Sequence, residues 1–205
     1  MITTGIIKNH LFCYQNSIVS ALSTFDKVIV ELGMGDGQFL SGLIEYRNSP
    51  NTCYLGIEID AKQIQKAHEK LRGKDIYLIN DSFENVLSFF PDDYVDEFIF
   101  VLPSPKYIDR NSESQWTLLY QDIYKKLKDR GTLTIVTEII NDLLEPISDN
   151  EFNSWKKWLT SKFVDIGFRL KGICDDCPSY YNSHFLAQFR ADKLRIKLIT
   201  LKLTK

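Results

Sequence analysis

Residues 28–40 read VIVELGMGDGQFL, and this stretch decides how the rest of the chain folds. Its first five residues are an apolar run interrupted only by Glu31, which is typical of a buried parallel strand. The alternate glycines Gly33, Gly35 and Gly37 follow at once and predict a tight turn, because glycine tolerates positive φ and lets the backbone approach a ligand closely. The next residues predict a helix whose first N–H groups are free to bind that ligand.

Apolar runs and helical patterns alternate as far as residue 137, which predicts a parallel sheet covered by helices on both faces. The strand candidates are Val28–Leu32, Cys53–Ile59, Ile76–Ile79, Glu97–Leu102 and Thr132–Thr137. The helix candidates between them are Gln38–Tyr46, Ala61–Leu71, Ser82–Phe89 and Glu113–Lys128.

The two ends of the chain follow other patterns. A helix is expected at about residues 10–22, over Leu11–Leu22, and an amphipathic helix over Glu151–Phe163. After Gly167 the pattern becomes that of β-strands, which would end the sheet in antiparallel fashion. These late strand candidates are Phe168–Ile173, Ser183–Phe189 and Leu194–Leu203.

The composition is that of one ordinary globular domain, expected over residues 1–205, with 44% hydrophobic and 25% charged residues. No segment approaches the roughly 20 apolar residues that cross a bilayer, so we expect a cytoplasmic protein with no membrane partner. The net charge of −2 excludes a general attraction to nucleic acid. Locally, residues 190–205 carry six basic residues and one acid, which favours either a solvated strand face or a phosphate-binding surface.

The four cysteines are Cys13, Cys53, Cys174 and Cys177, too scattered for a disulfide framework. Cys174 and Cys177 have the spacing of half a zinc site or of a redox motif, but no second pair follows them. We therefore expect reduced thiols and no metal.

The Glu-x-Gly-x-Gly-x-Gly pattern of residues 31–37 resembles the first motif of class I S-adenosylmethionine-dependent methyltransferases. It lacks the G-x-G-x-x-G spacing of dinucleotide folds. The resemblance implies an α/β fold of Rossmann type, with a doubly wound, mostly parallel seven-stranded sheet that ends in antiparallel strands. It also implies S-adenosylmethionine as the cofactor, bound beside Glu31 and the three glycines.

Two later strands end in acids that suit this cofactor. Glu58 follows the glycines by about twenty residues, and a carboxylate at that edge can accept hydrogen bonds from both ribose hydroxyls. Asp60 is the alternative ribose ligand or the cap of the next helix. Asp81 looks like the acid that accepts from the adenine amino group in these enzymes, and its alternative role is a helix cap. We expect Glu31, Glu58 and Asp81 to meet at one crevice.

Residues 100–110 read FVLPSPKYIDR, which resembles the Phe-Pro-Asp-Pro-Trp-Pro/His-Lys-Lys-Arg-His loop of the tRNA (guanine-N7-)-methyltransferases. Thr137 and Glu138 resemble that family's Thr-Asp, and residues 183–186, Ser-His-Phe-Leu, resemble its Thr-x-x-Glu. The resemblance spans roughly residues 25–200. It implies methylation of guanine N7, with tRNA or another structured RNA as the partner.

The chain departs from that family at Ser104, Lys106 and Leu186, which stand where the family has Asp, Trp and Glu. N7 of guanine already presents a lone pair, so the protein has to align the reactants and stabilise charge rather than remove a proton. Ser104 and Glu138 are the catalytic candidates, and Glu138 would supply the negative charge that Ser104 lacks.

Four further residues are candidates for contacts with the RNA. Lys106 and Arg110 could hold phosphate, although surface lysines are commonly only solvated. Ser183 and His184 are the candidates in the late motif, and a structural role is the alternative for His184. Three other functions remain open: an rRNA adenine methyltransferase, a small-molecule methyltransferase, and a catalytically silent S-adenosylmethionine-binding subunit that supports a partner.

Overall fold

The computed structural model describes residues 6–8, 11–13, 22–47, 49–74, 76–140 and 145–205. Its strands are β1 (Ile6–Lys8), β2 (Leu11–Cys13), β3 (Lys27–Leu32), β4 (Thr52–Glu58), β5 (Ile76–Asn80), β6 (Val95–Val101), β7 (Leu127–Ile140), β8 (Arg169–Asp175) and β9 (Ile196–Thr204). Its helices are α1 (Gln38–Arg47), α2 (Ala61–Lys70), α3 (Phe83–Leu87), α4 (Glu113–Lys126), α5 (Asp149–Ile166) and α6 (His184–Arg190). Two short 3₁₀ turns span Pro105–Tyr107 and Arg110–Ser112.

The described strands form one sheet in the order β2-β1-β5-β4-β3-β6-β7-β9-β8. The five strands from β5 to β7 in that order are parallel. β9 then pairs antiparallel with β7, and β8 with β9. The predicted mostly parallel, seven-stranded sheet with an antiparallel end is therefore confirmed in β3–β9. The chain leaves β3 to build the sheet first on one side and then on the other, so a crevice opens at the carboxyl end of β3.

Helices cover both faces of this sheet. On one face α3, α4 and α5 bury an aromatic core that includes Trp116, Tyr120 and Phe163, whose rings pack 4.7–5.9 Å apart. On the other face α1, α2 and α6 pack on Ile29, Val136 and their neighbours. Within the described residues, no helix combines the length and the apolar character that a membrane span requires.

The N-terminal prediction was wrong where the structure can be read. Leu11–Cys13, expected at the start of a helix, is a strand that pairs antiparallel with Ile6–Lys8. β1 pairs in turn with the outer edge of β5, so the two strands cover backbone groups that would otherwise be open to a second chain. Residues 14–21 of the predicted helix lie outside the described residues. Pairing with a distant edge has outweighed the local helical pattern.

The strand predicted over Ser183–Phe189 was also wrong, because this segment forms helix α6. The Ser183 hydroxyl accepts a hydrogen bond from the Leu186 backbone N–H at 3.2 Å and so caps the helix. Leu186 is buried and Phe189 packs against the same cluster, whereas Phe185 is 62% exposed. Burial three residues apart is the helical period, which in so short a segment also resembles a strand pattern.

Candidate functional site

The turn after β3 takes the predicted glycine conformation. Gly33, Gly35 and Gly37 have φ of 65°, 57° and 72°. A Cβ on Gly37 would lie 2.8 Å from the Leu71 side chain, so this glycine is required by the packing of α2 against the turn. A Cβ on Gly35 would meet no atom within 4 Å, so this glycine faces open space. The turn therefore leaves room for a ligand at Gly35.

Glu31 lies behind the turn and is 2% exposed. Its Oε2 has no hydrogen-bond partner in the part of the chain that the structure describes. Burial, with further contributions from Glu58 and Asp36, raises the pKa of Glu31 well above its usual value. A buried carboxyl with an unused oxygen is costly to the free protein, and a hydrogen-bond donor or a cation beside it would offset that cost.

Glu58 connects the ends of β3 and β4. One of its carboxylate oxygens accepts a hydrogen bond from the Gly35 N–H at 2.9 Å, and the other accepts from the Asp60 N–H at 2.9 Å. The Asp60 side chain accepts from the Lys62 N–H and is the N-cap of α2. Of the two acids weighed for this edge, Asp60 is therefore the helix cap, and Glu58 lies against the glycine turn.

Asp81 lies at the end of the neighbouring strand β5. Its carboxylate accepts hydrogen bonds from the Ser82 N–H at 2.7 Å and from the Asn85 side-chain amide at 3.0 Å. The cap of α3 is Ser82, whose hydroxyl accepts from the Asn85 N–H. Ser82, and not Asp81, is thus the cap of this helix. We call the edge formed by Glu31, Gly35, Glu58 and Asp81 the cofactor crevice.

Sequence reasoning missed two residues of this edge. The Asn80 side-chain amide donates to the carbonyls of Glu58 and Ile59 at 3.0 and 3.1 Å, which ties β5 to the chain leaving β4. Ile59 is 70% exposed although it directly follows a buried strand. An exposed aliphatic side chain beside Glu58 offers a flat ligand an apolar contact. The only sequence signal was an isoleucine between two acids.

The loop after β6 begins at Leu102, which has φ of 52° and donates its N–H to the Val136 carbonyl at 2.8 Å. A branched side chain rarely adopts this left-handed conformation, so the hydrogen bond to β7 helps to hold a strained turn. Ser104 and Lys106 are exposed on the loop. On the other side of the loop, the Tyr107 hydroxyl donates a hydrogen bond to the Glu84 carboxylate at 2.5 Å.

Glu138 lies at the end of β7 and lines a cavity of about 310 Å³ together with Pro105, Ile108, Arg110 and Trp155. We call this space the acceptor cavity. Burial raises the pKa of Glu138 to about 7. Its Oε2 has no hydrogen-bond partner among the described residues.

A side chain of helix α5 helps to hold Arg110 at the acceptor cavity. The Arg110 guanidinium lies 4.8 Å from the Trp158 ring centre, a distance that suits a cation–π contact. The structure thus brings Arg110 and Glu138 to one cavity, with Ser104 on the adjoining loop. Trp155 is 8% exposed and also lines this cavity.

The late motif lies on α6. Ser183 is its cap, and the exposed His184 ring is 3.0 Å from the Gln188 side-chain amide. Leu186, which stands where the tRNA methyltransferases have Glu, is a fully buried core residue.

The cysteine pair has a structural environment. Cys174 is exposed, and the half-buried Cys177 has its sulfur 2.7 Å from the Arg190 guanidinium. Burial raises the pKa of Cys177 to about 11, which keeps it a thiol. No group of three metal-ligating side chains occurs among the described residues.

Most of the basic C-terminal stretch is paired within the protein. Arg190 and Lys193 both contact Asp176, and Arg195 contacts Asp192. Lys197 and Lys205 lie 2.7 and 2.6 Å from Asp149 and Asp93. These five cations are therefore paired within the protein, which argues against a phosphate-binding role for them, and of the five only Lys197 lies on a strand, β9.

Comparison with known proteins gives both a family and a fold. The model of the methyltransferase family Methyltransf_4 matches residues 26–156. The tRNA (guanine-N(7)-)-methyltransferase of Lachnoclostridium phytofermentans is 31% identical over 91 residues, 43% of this chain and 42% of that protein. Its namesake in Thermotoga maritima is 26% identical over 136 residues, 62% of this chain and 42% of that protein. The chain spans about two fifths of the length of these relatives.

The crystal structure of the 16S rRNA methyltransferase KamB superposes with a TM-score of 0.72 over 98% of both chains. The two sequences are 13% identical, so this similarity concerns the fold.

Proposed function

Because the chain belongs to the methyltransferase family whose model matches residues 26–156, we propose that it methylates RNA from S-adenosylmethionine, with guanine N7 of tRNA as the target. The observation that carries the proposal is the juxtaposition of two sites at the carboxyl edge of the sheet. Glu58 lies beside the open space at Gly35, and Glu31 and Asp81 lie near the ends of the strands on either side of β4. A cavity holding Glu138 and Arg110 lies at the ends of β6 and β7.

The residues present fit the cofactor. Each Glu58 oxygen holds one backbone N–H and has a further lone pair to accept a ribose hydroxyl. Asp81 would accept from the adenine amino group, and Ile59 would cover the ring. The unused oxygen of Glu31 would face the cationic part of the ligand. What the cofactor supplies when bound is an electrophilic methyl group on a sulfonium sulfur.

At the acceptor side, the chain's task is to position a base that already carries its lone pair. The methylated purine is a cation, so the ionised Glu138 would stabilise the charge that develops during transfer. Ser104 would orient the base through its hydroxyl. Lys106 and Arg110 would hold flanking phosphates.

The test is incubation with labelled S-adenosylmethionine and an unmodified tRNA transcript, followed by identification of the methylated nucleoside. We expect 7-methylguanosine from the wild type and none from Glu58→Ala, which cannot hold the ribose. Label at another nucleoside would overturn the guanine-N7 assignment. Cofactor binding with no transfer to any RNA would overturn the RNA function and leave the silent-subunit and small-molecule alternatives.

A second candidate is methylation of an adenine in 16S rRNA. The observation that favours it is Ser104, which stands where the tRNA methyltransferases have a loop carboxylate; the fold is shared with the 16S rRNA methyltransferase KamB. The same assay with 30S ribosomal subunits separates the two. Label in methyladenosine from the subunits, with none in tRNA, would select the rRNA function.

A further inference from the structure

A second charged cavity, of about 440 Å³, lies at the amino-terminal edge of the sheet, opposite the cofactor crevice. It opens beside the first residues of β6 and β7 and the last residues of α1. Its lining includes six basic and three acidic side chains. We call it the basic cavity; the six basic residues are Lys27, Arg47, Lys128, Arg130, Lys171 and Lys202.

Part of this charge is used in ion pairs within the protein. Glu97 is 5% exposed and accepts both ends of the Arg47 guanidinium, at 2.5 and 3.0 Å. Asp96 accepts from the Val28 N–H and from Lys128, each at 2.8 Å. These pairs neutralise two of the three acids, because a buried carboxylate needs a partner. They form the floor of the basic cavity.

Two lysines remain uncompensated. Lys171 on β8 and Lys202 on β9 are exposed, and neither takes part in an ion pair within the ranges that the structure describes. Lys202 differs in this from the five other basic residues of the C-terminal stretch, each of which contacts an acid. Both lysines line the basic cavity, whose four other basic residues each lie within 4.0 Å of an acid, so these two carry the positive charge that no ion pair neutralises there.

The strand pattern explains why this place is open. Leu198, Thr200 and Lys202 point to the same face of β9, since side chains alternate along a strand. Leu198 and Thr200 are buried on that face, 6% and 1% exposed, whereas Lys202 is exposed. The cover on this face thus ends at Thr200, and the sheet beyond it presents lysine ammonium groups beside the partly exposed Thr132.

Cations and hydroxyl groups in a concave surface are the complement of phosphodiester oxygens. We propose that the basic cavity binds the phosphate backbone of the RNA substrate at a distance from the methylated base, an inference that rests on the proposed RNA methyltransferase function. Thr132 and Glu138 are six residues apart on β7, about 20 Å at roughly 3.3 Å per residue. A folded RNA can reach both places, whereas a short oligonucleotide bound in the acceptor cavity cannot.

The test is the double variant Lys171→Glu and Lys202→Glu, compared with the matched double variant Arg72→Glu and Lys157→Glu. The control pair is exposed and changes the net charge equally, but it lies outside the basic cavity. For the lysine pair we expect KM for tRNA or 30S subunits to rise roughly tenfold, with kcat within about twofold and S-adenosylmethionine binding unchanged. The slope of log affinity against log salt should fall by about two, one for each lost phosphate contact.

The outcomes of this test separate the basic cavity from the proposed RNA methyltransferase function. Equal KM and equal salt slopes in the two double variants, with the wild type active on RNA, would overturn the basic cavity and leave the proposed function standing. A wild type that neither binds nor methylates tRNA or 30S subunits would overturn both. Loss of S-adenosylmethionine binding in the lysine variant alone would assign these lysines a structural role and would also contradict the inference.

Discussion

Glu138 shows how one half-buried side chain can set the pH response of the site. Burial raises its pKa to about 7 from the usual value of 4.5, so it is largely protonated in weak acid and ionised in weak base. If the ionised form stabilises the cationic product, kcat should rise with pH through about 7. Glu138→Gln should flatten this rise and lower kcat at pH 8 by about tenfold or more. A pH profile of single-turnover methyl transfer measures it, and an unchanged profile in Glu138→Gln would contradict the role.

The same residue gives a stability test that needs no substrate. Because its folded pKa is raised, protonated Glu138 costs the fold little, whereas ionisation in the folded state is penalised. Its contribution to stability is therefore intact below about pH 4.5 and is lost as the pH rises through 7. Glu138→Gln should stabilise the protein at pH 8 relative to wild type, and should do so less at pH 5. Denaturant unfolding at the two pH values provides the comparison.

Replacing either of two turn glycines by alanine adds a single methyl group, and the two variants should have opposite phenotypes. Gly37→Ala forces a Cβ to 2.8 Å from Leu71 at positive φ, so it should cost about 2–4 kcal/mol of folding free energy. Gly35→Ala meets no neighbour, so it should cost only the roughly 1–2 kcal/mol of backbone strain but weaken S-adenosylmethionine binding strongly. Thermal unfolding and calorimetric titration of both variants separate fold from site. Full S-adenosylmethionine affinity in Gly35→Ala would show that the open space at Gly35 is not part of the binding site.

At the scale of the element, α6 illustrates how a cap can override a strand-like pattern. Ser183→Ala removes the hydroxyl that holds the Leu186 N–H, so the variant should lose about 1 kcal/mol of stability. Ser183→Asp should restore it, because Asp is an equally good cap. Chemical denaturation measures both. If Ser183→Ala also raises KM for RNA and Ser183→Asp does not restore it, the serine contacts substrate in addition to capping the helix.

The ends of β3, β4 and β5 are the elements that the sequence described best. Each carries an acid at its last residue or within one residue of it, at the sheet edge: Glu31, Glu58 and Asp81. For the last two acids, the role of helix cap belongs to a nearby residue. Asp60 and Ser82 perform the capping, which leaves Glu58 and Asp81 at the crevice.

For the whole molecule, ligand binding should appear as global stabilisation. S-adenosylmethionine at about 100 times its Kd should add roughly 2.7 kcal/mol and raise Tm by about 5–10 °C. Glu58→Ala should lose most of this shift. Asp60→Asn is the matched control, since Asn also caps helices and the shift should persist. A shift that is lost in Asp60→Asn and kept in Glu58→Ala would reverse the assignment of the ribose ligand.

The sequence by itself determined the class of fold and predicted which glycines and acids form the cofactor crevice. Alternate glycines, apolar strands and acids at strand ends are local requirements, and a few adjacent residues are enough to express them. What required the tertiary structure depends on partners distant in the chain: the pairing of β1 with β5, the helical form of α6, the burial of Glu138, and the contrast between paired Lys197 and unpaired Lys202. Charge and burial are properties of a neighbourhood, and folding assembles that neighbourhood from residues far apart in the chain, as in the contact of Lys205 with Asp93, which are 112 positions apart.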